Sequence, residues 1–143
     1  MSQFNLKNFK QILRDEKLRV TSQRLEVYKY VFSSHHHREA DEIYMALHRK
    51  KMGVSRATVY RTMDILYNHG FVRRMDIGKG RWLFEPRLDN FHHDHLVCVK
   101  CGEITEFYDE VIEKKQDAVA KEYGFSLVRH IHQLFGICNN CKE

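Results

Sequence analysis

Four cysteines stand in two Cys-x-x-Cys pairs, Cys98-Val99-Lys100-Cys101 and Cys138-Asn139-Asn140-Cys141, with 36 residues between Cys101 and Cys138. Each pair can turn two thiolates toward one ion, at about 2.3 Å each if that ion is zinc. Four thiolates close a tetrahedral shell and leave no open position, so the ion would be structural. The long separation means that it would tie the start of a C-terminal domain to its end. Four unrelated buried thiols is the plainer explanation, and it leaves the paired spacing unexplained. A redox dithiol fits less well, because there are two pairs and no thioredoxin-like context. The N-terminal Met1-Ser2-Gln3-Phe4-Asn5-Leu6-Lys7 lacks the apolar core of a signal peptide. No apolar run approaches the roughly 20 residues needed to span a bilayer. A cytoplasmic location is the expectation, and there thiols stay reduced and serve as ligands.

Directly before the first pair lies His92-His93-Asp94-His95. If this segment is extended, His93 and His95 project to one face and His92 and Asp94 to the other. That arrangement makes two half-sites, each needing ligands from elsewhere. His37, Glu85, Glu106, Glu113, His130 and His132 are candidates, although any one of them alone is more often an ordinary surface residue. Mixed imidazole and carboxylate ligands suit iron, manganese, cobalt or zinc, and ligand type does not choose among them. A site drawing on both sides of the segment between Glu85 and His93 would let metal occupancy fix the orientation of two domains.

The net charge of +5 conceals an asymmetry. Residues 1–86 hold 17 lysines and arginines against 9 acids, a balance of +8; residues 87–143 hold 7 against 10, a balance of −3. A basic half meeting a polyanion and an acidic half doing other work would explain the difference. Apolar periodicity predicts four helices in the basic half. The first carries Leu6, Phe9, Ile12 and Leu13. The second follows a Thr21 cap and buries Leu25, Tyr28, Val31 and Phe32. The third carries Ala40, Ile43, Tyr44 and Leu47. The fourth runs from a Ser55 cap to about Asn68, with Val59, Met63 and Leu66 inward and Ala57, Tyr60, Arg61 and Asp64 outward. Phe71–Met75 and Arg81–Glu85 then read as a hairpin around a glycine-containing turn. Helices followed by a hairpin is a winged helix-turn-helix order, with the fourth helix as the recognition helix. Pro86 closes the hairpin, and residues 87–91 read as a linker. Beyond it, strands are expected at Leu96–Val99 and Ile104–Phe107, a helix after an Asp109 cap, and a long strand over Phe125–Phe135. The fold class is α+β, an N-terminal winged helix-turn-helix DNA-binding domain followed by a small C-terminal α/β domain.

Arg19-Val20-Thr21-Ser22-Gln23-Arg24, Ala40-Asp41-Glu42-Ile43-Tyr44, Ala57-Thr58-Val59-Tyr60-Arg61, His92 through Cys98 with Cys101-Gly102, and the terminal Cys138/Cys141 pair occur together. In this combination the chain resembles, over nearly its full length, the ferric uptake regulator family of bacterial metal-responsive repressors. The resemblance implies a winged-helix domain at 1–86, a hinge at 87–91 and a metal-binding dimerisation domain at 92–143. It implies a homodimer, with a tetramer as a further state, on an A/T-rich inverted repeat in double-stranded DNA. Tyr60 would contact thymine, Arg61 a phosphate, and Arg19 the minor groove, where narrow A/T tracts attract cations. Arg56 and Thr58 would be further DNA contacts.

The resemblance also distributes the metals. Structural Zn2+ would sit on Cys98, Cys101, Cys138 and Cys141. Regulatory Fe2+, with Mn2+ or Zn2+ as alternatives, would sit on His37, Glu85, His93, His95 and Glu106. An additional site would use His92, Asp94, Glu113 and His130. Zinc sensors of the family tend to have a cysteine near Glu85, which this chain lacks. Peroxide sensors tend to have aspartate at Glu106, and they depend on iron oxidising a ligand histidine. Glutamate there favours an iron sensor controlling iron-uptake genes, with peroxide sensing next and manganese sensing third. No catalytic residue is assigned. A metallohydrolase would need an open coordination position and a substrate pocket, and a zinc-stapled interaction module would leave the recognition helix unexplained.

Overall fold

The computed structural model describes residues 3–78, 80–88 and 93–142. The chain divides into two compact units, Met1–Asn90 and Phe91–Glu143. In the first unit, helices α1 (Leu6–Asp15), α2 (Ser22–Val31), α3 (Ala40–Arg49) and α4 (Arg56–Asn68) precede strands β1 (Val72–Asp76) and β2 (Trp82–Pro86). Three helix starts are fixed by side-chain caps that take up otherwise orphaned amides. Asn5 Oδ1 accepts from Asn8 N, Thr21 Oγ1 from Arg24 N and Ser55 Oγ from Thr58 N.

The helices bury Phe9, Leu13, Val27, Tyr28, Val31, Ile43, Leu47, Val59, Met63 and Leu66 against Phe71 and Val72. Phe71 is the hub, with its ring edge-on to Phe4, Phe9, Tyr28 and Phe32. Phe4 lies outside the helical stripes expected from the sequence, yet belongs to the core. It is buried because the Tyr28 hydroxyl donates to its carbonyl at 3.1 Å, fixing the segment before α1. Thr62 is also buried, and its hydroxyl donates to Thr58 O within α4 at 2.7 Å.

β1 and β2 pair antiparallel from Val72↔Pro86 to Asp76↔Trp82. Gly78 and Gly80, both at positive φ, belong to the connecting turn, a conformation open to glycine at little cost. Arg38 forms an isolated antiparallel bridge with Phe84, its amide donating at 3.0 Å and its carbonyl accepting at 2.7 Å. That bridge pins the loop before α3 to the hairpin. Arg87 N donates to Phe71 O at 2.9 Å, so Arg87 is held to the first unit rather than lying in a free linker.

The second unit contains β3 (Asp94–Cys98), β4 (Ile104–Phe107), α5 (Glu110–Glu122), β5 (Gln133–Gly136) and a 3-10 turn at Asn139–Cys141. The sheet order is β4-β3-β5, with β3 antiparallel to β4 and parallel to β5. The long strand expected over Phe125–Phe135 is corrected: only Gln133–Gly136 is a strand. The apolar residues before it are exposed, Val128 at 97% and Ile131 at 74%. Their hydrophobicity has no place in the sheet of a single copy. No residue of α5 is buried. Among the described residues, no helix is long and apolar enough to cross a membrane.

Candidate metal centres and nucleic-acid interface

The parallel pairing of β5 with β3 brings the distant cysteine pairs together. Cys98 is in register with Gly136, and Val99 N donates to Gly136 O, so the chain just beyond Gly136 arrives beside the Cys98–Cys101 knuckle. The knuckle is closed by Cys98 N to Glu103 O and Gly102 N to Cys98 O. All four thiols are free, and their sulfurs lie within 4.8 Å of one another. Cys101 Sγ and Cys138 Sγ are 3.8 Å apart, close to the edge of a tetrahedron whose centre is about 2.3 Å from each corner.

Backbone amides of Cys101 and then Cys138 aimed at Cys98 Sγ lower that thiol to about 6. The sulfurs of Cys138 and Cys101 push Cys141 up to about 12, and burial raises Cys138. Four thiolates cannot coexist here without a cation among them. The donor set fits zinc, which would neutralise their charge and staple the knuckle to the C-terminal turn.

The histidine segment divides around β3. On one side, His93 Nε2 is 3.3 Å from Glu106 Oε1, and the His93 and His95 rings meet edge-on at 5.1 Å. His95 is directly opposite Glu106 in the β3–β4 register. On the other side, the Asp94 carboxylate is fully buried. His130 Nε2 lies 3.3 Å from Asp94 Oδ1 and 3.4 Å from Glu113 Oε1. His132 Nδ1 is 3.6 Å from Asp94 Oδ2, which adds to this group a histidine absent from the set that the resemblance implies. His132 is among the candidate ligands named from the sequence for these half-sites. Asp94, Glu113 and His130 offer ligand atoms within 4.8 Å of one another. His92, expected in this set, lies outside the described residues.

In the first unit, the Arg38–Phe84 bridge puts His37 beside Glu85, with His37 Nε2 3.5 Å from Glu85 Oε2. Glu85 is only 4% exposed. A carboxylate that deep requires a partner of opposite charge or a cation.

Along α4, Arg56, Ala57, Tyr60, Arg61 and Asp64 face solvent, and Tyr60 is 45% exposed. Thr58 is half-buried and engaged with the Ser55 cap, through its amide and its hydroxyl. Tyr60 donates its hydroxyl to Asp41 Oδ1 at 2.9 Å, and the Arg56 guanidinium meets the same oxygen. Arg56 also stacks over the Tyr44 ring at 4.5 Å. Burial first, then the Asp41 hydrogen bond, raises the Tyr60 phenol above its ordinary value. Asp41 falls within the Ala40–Tyr44 stretch, but nothing in the sequence assigned it a part in this interface. Exposed Arg19 lines a cavity of about 550 Å³ with Lys17, Arg24, Ser55 and Thr58, where the N-terminal ends of α2 and α4 add their partial positive charge.

A winged helix carrying outward arginines and a tyrosine, joined in one chain to a tetrathiolate centre and imidazole–carboxylate clusters, defines a metal-responsive DNA-binding regulator. Residues 15–135 match the ferric uptake regulator family. The ferric uptake regulation protein of Campylobacter jejuni is 37% identical over 140 residues, covering 96% of this chain and 88% of that protein. The Helicobacter pylori ferric uptake regulator, whose structure reveals three functional metal-binding sites, aligns with a TM-score of 0.88 and 30% identity over 96% of this chain and 91% of that one. The Vibrio cholerae regulator, whose structure reveals rearrangement of its DNA-binding domains, aligns at 0.77 and 37% identity, covering 90% and 98%. The chain belongs to the ferric uptake regulator family. It is a metal-responsive transcriptional regulator; members of this family bind DNA, act as dimers and are not enzymes.

Proposed function

We propose that the chain is an iron-responsive repressor in the cytoplasm, binding A/T-rich inverted repeats through residues 1–86 and dimerising through 92–143. Ferrous iron would take ligands from His37, Glu85, His93, His95 and Glu106. The observation carrying this reading is that imidazole–carboxylate pairs stand at both ends of the short segment 86–92. His37–Glu85 ends the hairpin, and His93–Glu106 opens the second sheet. An ion bound by both pairs would favour one arrangement of the two units. A ligand that binds one arrangement better shifts the population toward it, and DNA that fits that arrangement then binds more tightly. The Asp94–Glu113–His130 group is an additional metal site in this reading.

Arg19, Arg56, Thr58, Tyr60 and Arg61 form the DNA-facing set, supported by the exposure of the three arginines and the tyrosine and by the +8 balance of residues 1–86. Dimerisation is supported by the apolar surface of the second unit. Tyr123, Phe125 and Leu127 line an open apolar cavity of about 520 Å³, and Val128 and Ile131 are also exposed. Exposed apolar surface of this extent marks an interaction face.

The test of the iron reading is binding to an A/T-rich inverted repeat with ferrous iron under anaerobic conditions. A pulse of hydrogen peroxide then follows, with mass spectrometry of the His37 and His93 peptides. Iron-activated binding with neither histidine gaining oxygen supports an iron sensor. Loss of binding with one oxygen added to either histidine establishes peroxide sensing instead.

A further inference from the structure

We propose that Asp41 determines specificity at the DNA interface, by holding Arg56 and Tyr60 on one carboxylate that only DNA offering partners to both can displace. The proposal rests on the reading that α4 meets DNA. Asp41 sits in the first turn of α3, and its side chain is half exposed. One of its oxygens receives both the Arg56 guanidinium and the Tyr60 hydroxyl. Tyr44, three residues further along α3, holds the flat face of Arg56. Two of the outward hydrogen-bond donors in the first two turns of α4 are thus already engaged.

As a contribution to folding, an exposed pair of this kind is worth little. Its consequence falls on binding. A carboxylate on a surface that meets a polyanion opposes binding through charge repulsion, and here it also competes for the two donors. DNA that offers Arg56 only a phosphate must break a charge-assisted contact and leave Asp41 bare beside the backbone. DNA that offers acceptors to both Arg56 and Tyr60 replaces both bonds. The carboxylate therefore discriminates by penalising the wrong partner.

The test uses the full chain loaded with zinc and ferrous iron under anaerobic conditions. Fluorescence anisotropy is read on an A/T-rich inverted-repeat duplex and on a scrambled duplex of the same composition, across a range of salt. Asp41→Asn should bind the scrambled duplex about tenfold more tightly, with a salt slope steeper by about one counterion as Arg56 turns to a phosphate. The ratio of inverted-repeat to scrambled affinity should fall accordingly. In an Arg56→Gln/Tyr60→Phe background, Asp41→Asn should leave the ratio at that background's value, because neither latched donor remains to be freed. An equal fall in both backgrounds would mean simple charge repulsion and would overturn the latch. So would an unchanged ratio in Asp41→Asn while Arg56→Gln still weakens binding. If Arg56→Gln and Tyr60→Phe both bind as the unsubstituted chain does, α4 does not meet DNA, and the proposal fails together with the reading beneath it.

Discussion

The two units are held together in different ways. Met1–Asn90 closes a hydrophobic core around Phe71, built from four helices and the hairpin. In Phe91–Glu143, the buried apolar side chains among the described residues are Val97 and Cys98, and the buried polar one is Asp94. Small domains rarely gather enough core to fold without a metal, a disulfide or a second subunit. The second unit has four thiols positioned for an ion and an uncovered apolar face. Its stability therefore depends on what it binds, whereas the stability of the first depends on its own packing. A sensor has use for that division, because the reading element stays folded while the metal-dependent element responds.

Removing the zinc ligand set tests this difference most severely. Cys101→Ser, or a strong chelator, should abolish hydrogen-exchange protection in β3, β4 and α5. Structural zinc contributes on the order of 10 kcal/mol or more in small domains, while α1–α4 should keep their cooperative melt. Simultaneous unfolding of both units would break the comparison. The converse change is Phe71→Ala, which empties the centre of the first core and should cost about 3–5 kcal/mol in denaturant unfolding of that unit. Zinc content of the second unit should be unaltered. Next in size is the exposed face. Replacing Ile131 with Ser should weaken self-association about tenfold to a hundredfold, from the roughly 1.5–3 kcal/mol carried by a buried aliphatic side chain. Sedimentation equilibrium reads it, and no change would remove Ile131 from the interface. The smallest effect concerns the hairpin. Arg74 lies between the rings of Tyr67 at 4.1 Å and Trp82 at 4.2 Å, clamping the wing to α4. Trp82→Ala should lower the melting stability of the first unit by only about 0.5–1 kcal/mol.

What could be read from the sequence was whatever rested on local rules. The caps at Thr21, Ser55 and Asp109 and the helical stripes fixed α2, α4 and α5, because each is decided within one or two turns. The opposite facing of His93/His95 and Asp94 was readable because a strand alternates strictly. The pairing of His37 with Glu85 depends on the Arg38–Phe84 bridge, which joins chain segments more than 40 residues apart and leaves no local trace. The contacts of Asp41 were unreadable for the same reason, since its partners lie on α4 and meet it only through helix packing. Phe125–Phe135 misled because apolar, β-rich residues were read as buried in this chain's own sheet. Most of them face outward.

The central claim is that iron at the histidine–glutamate donors controls DNA binding, separately from the zinc that maintains the fold. The most direct test is a titration of ferrous iron into the zinc-loaded protein, anaerobically, with affinity for an A/T-rich inverted repeat read at each step. The account predicts a rise of about 10- to 100-fold, within the usual range of coupling between two sites, and a flat response in His93→Ala with zinc content intact. Equal affinity at every iron concentration, or an undiminished rise in His93→Ala, would contradict it.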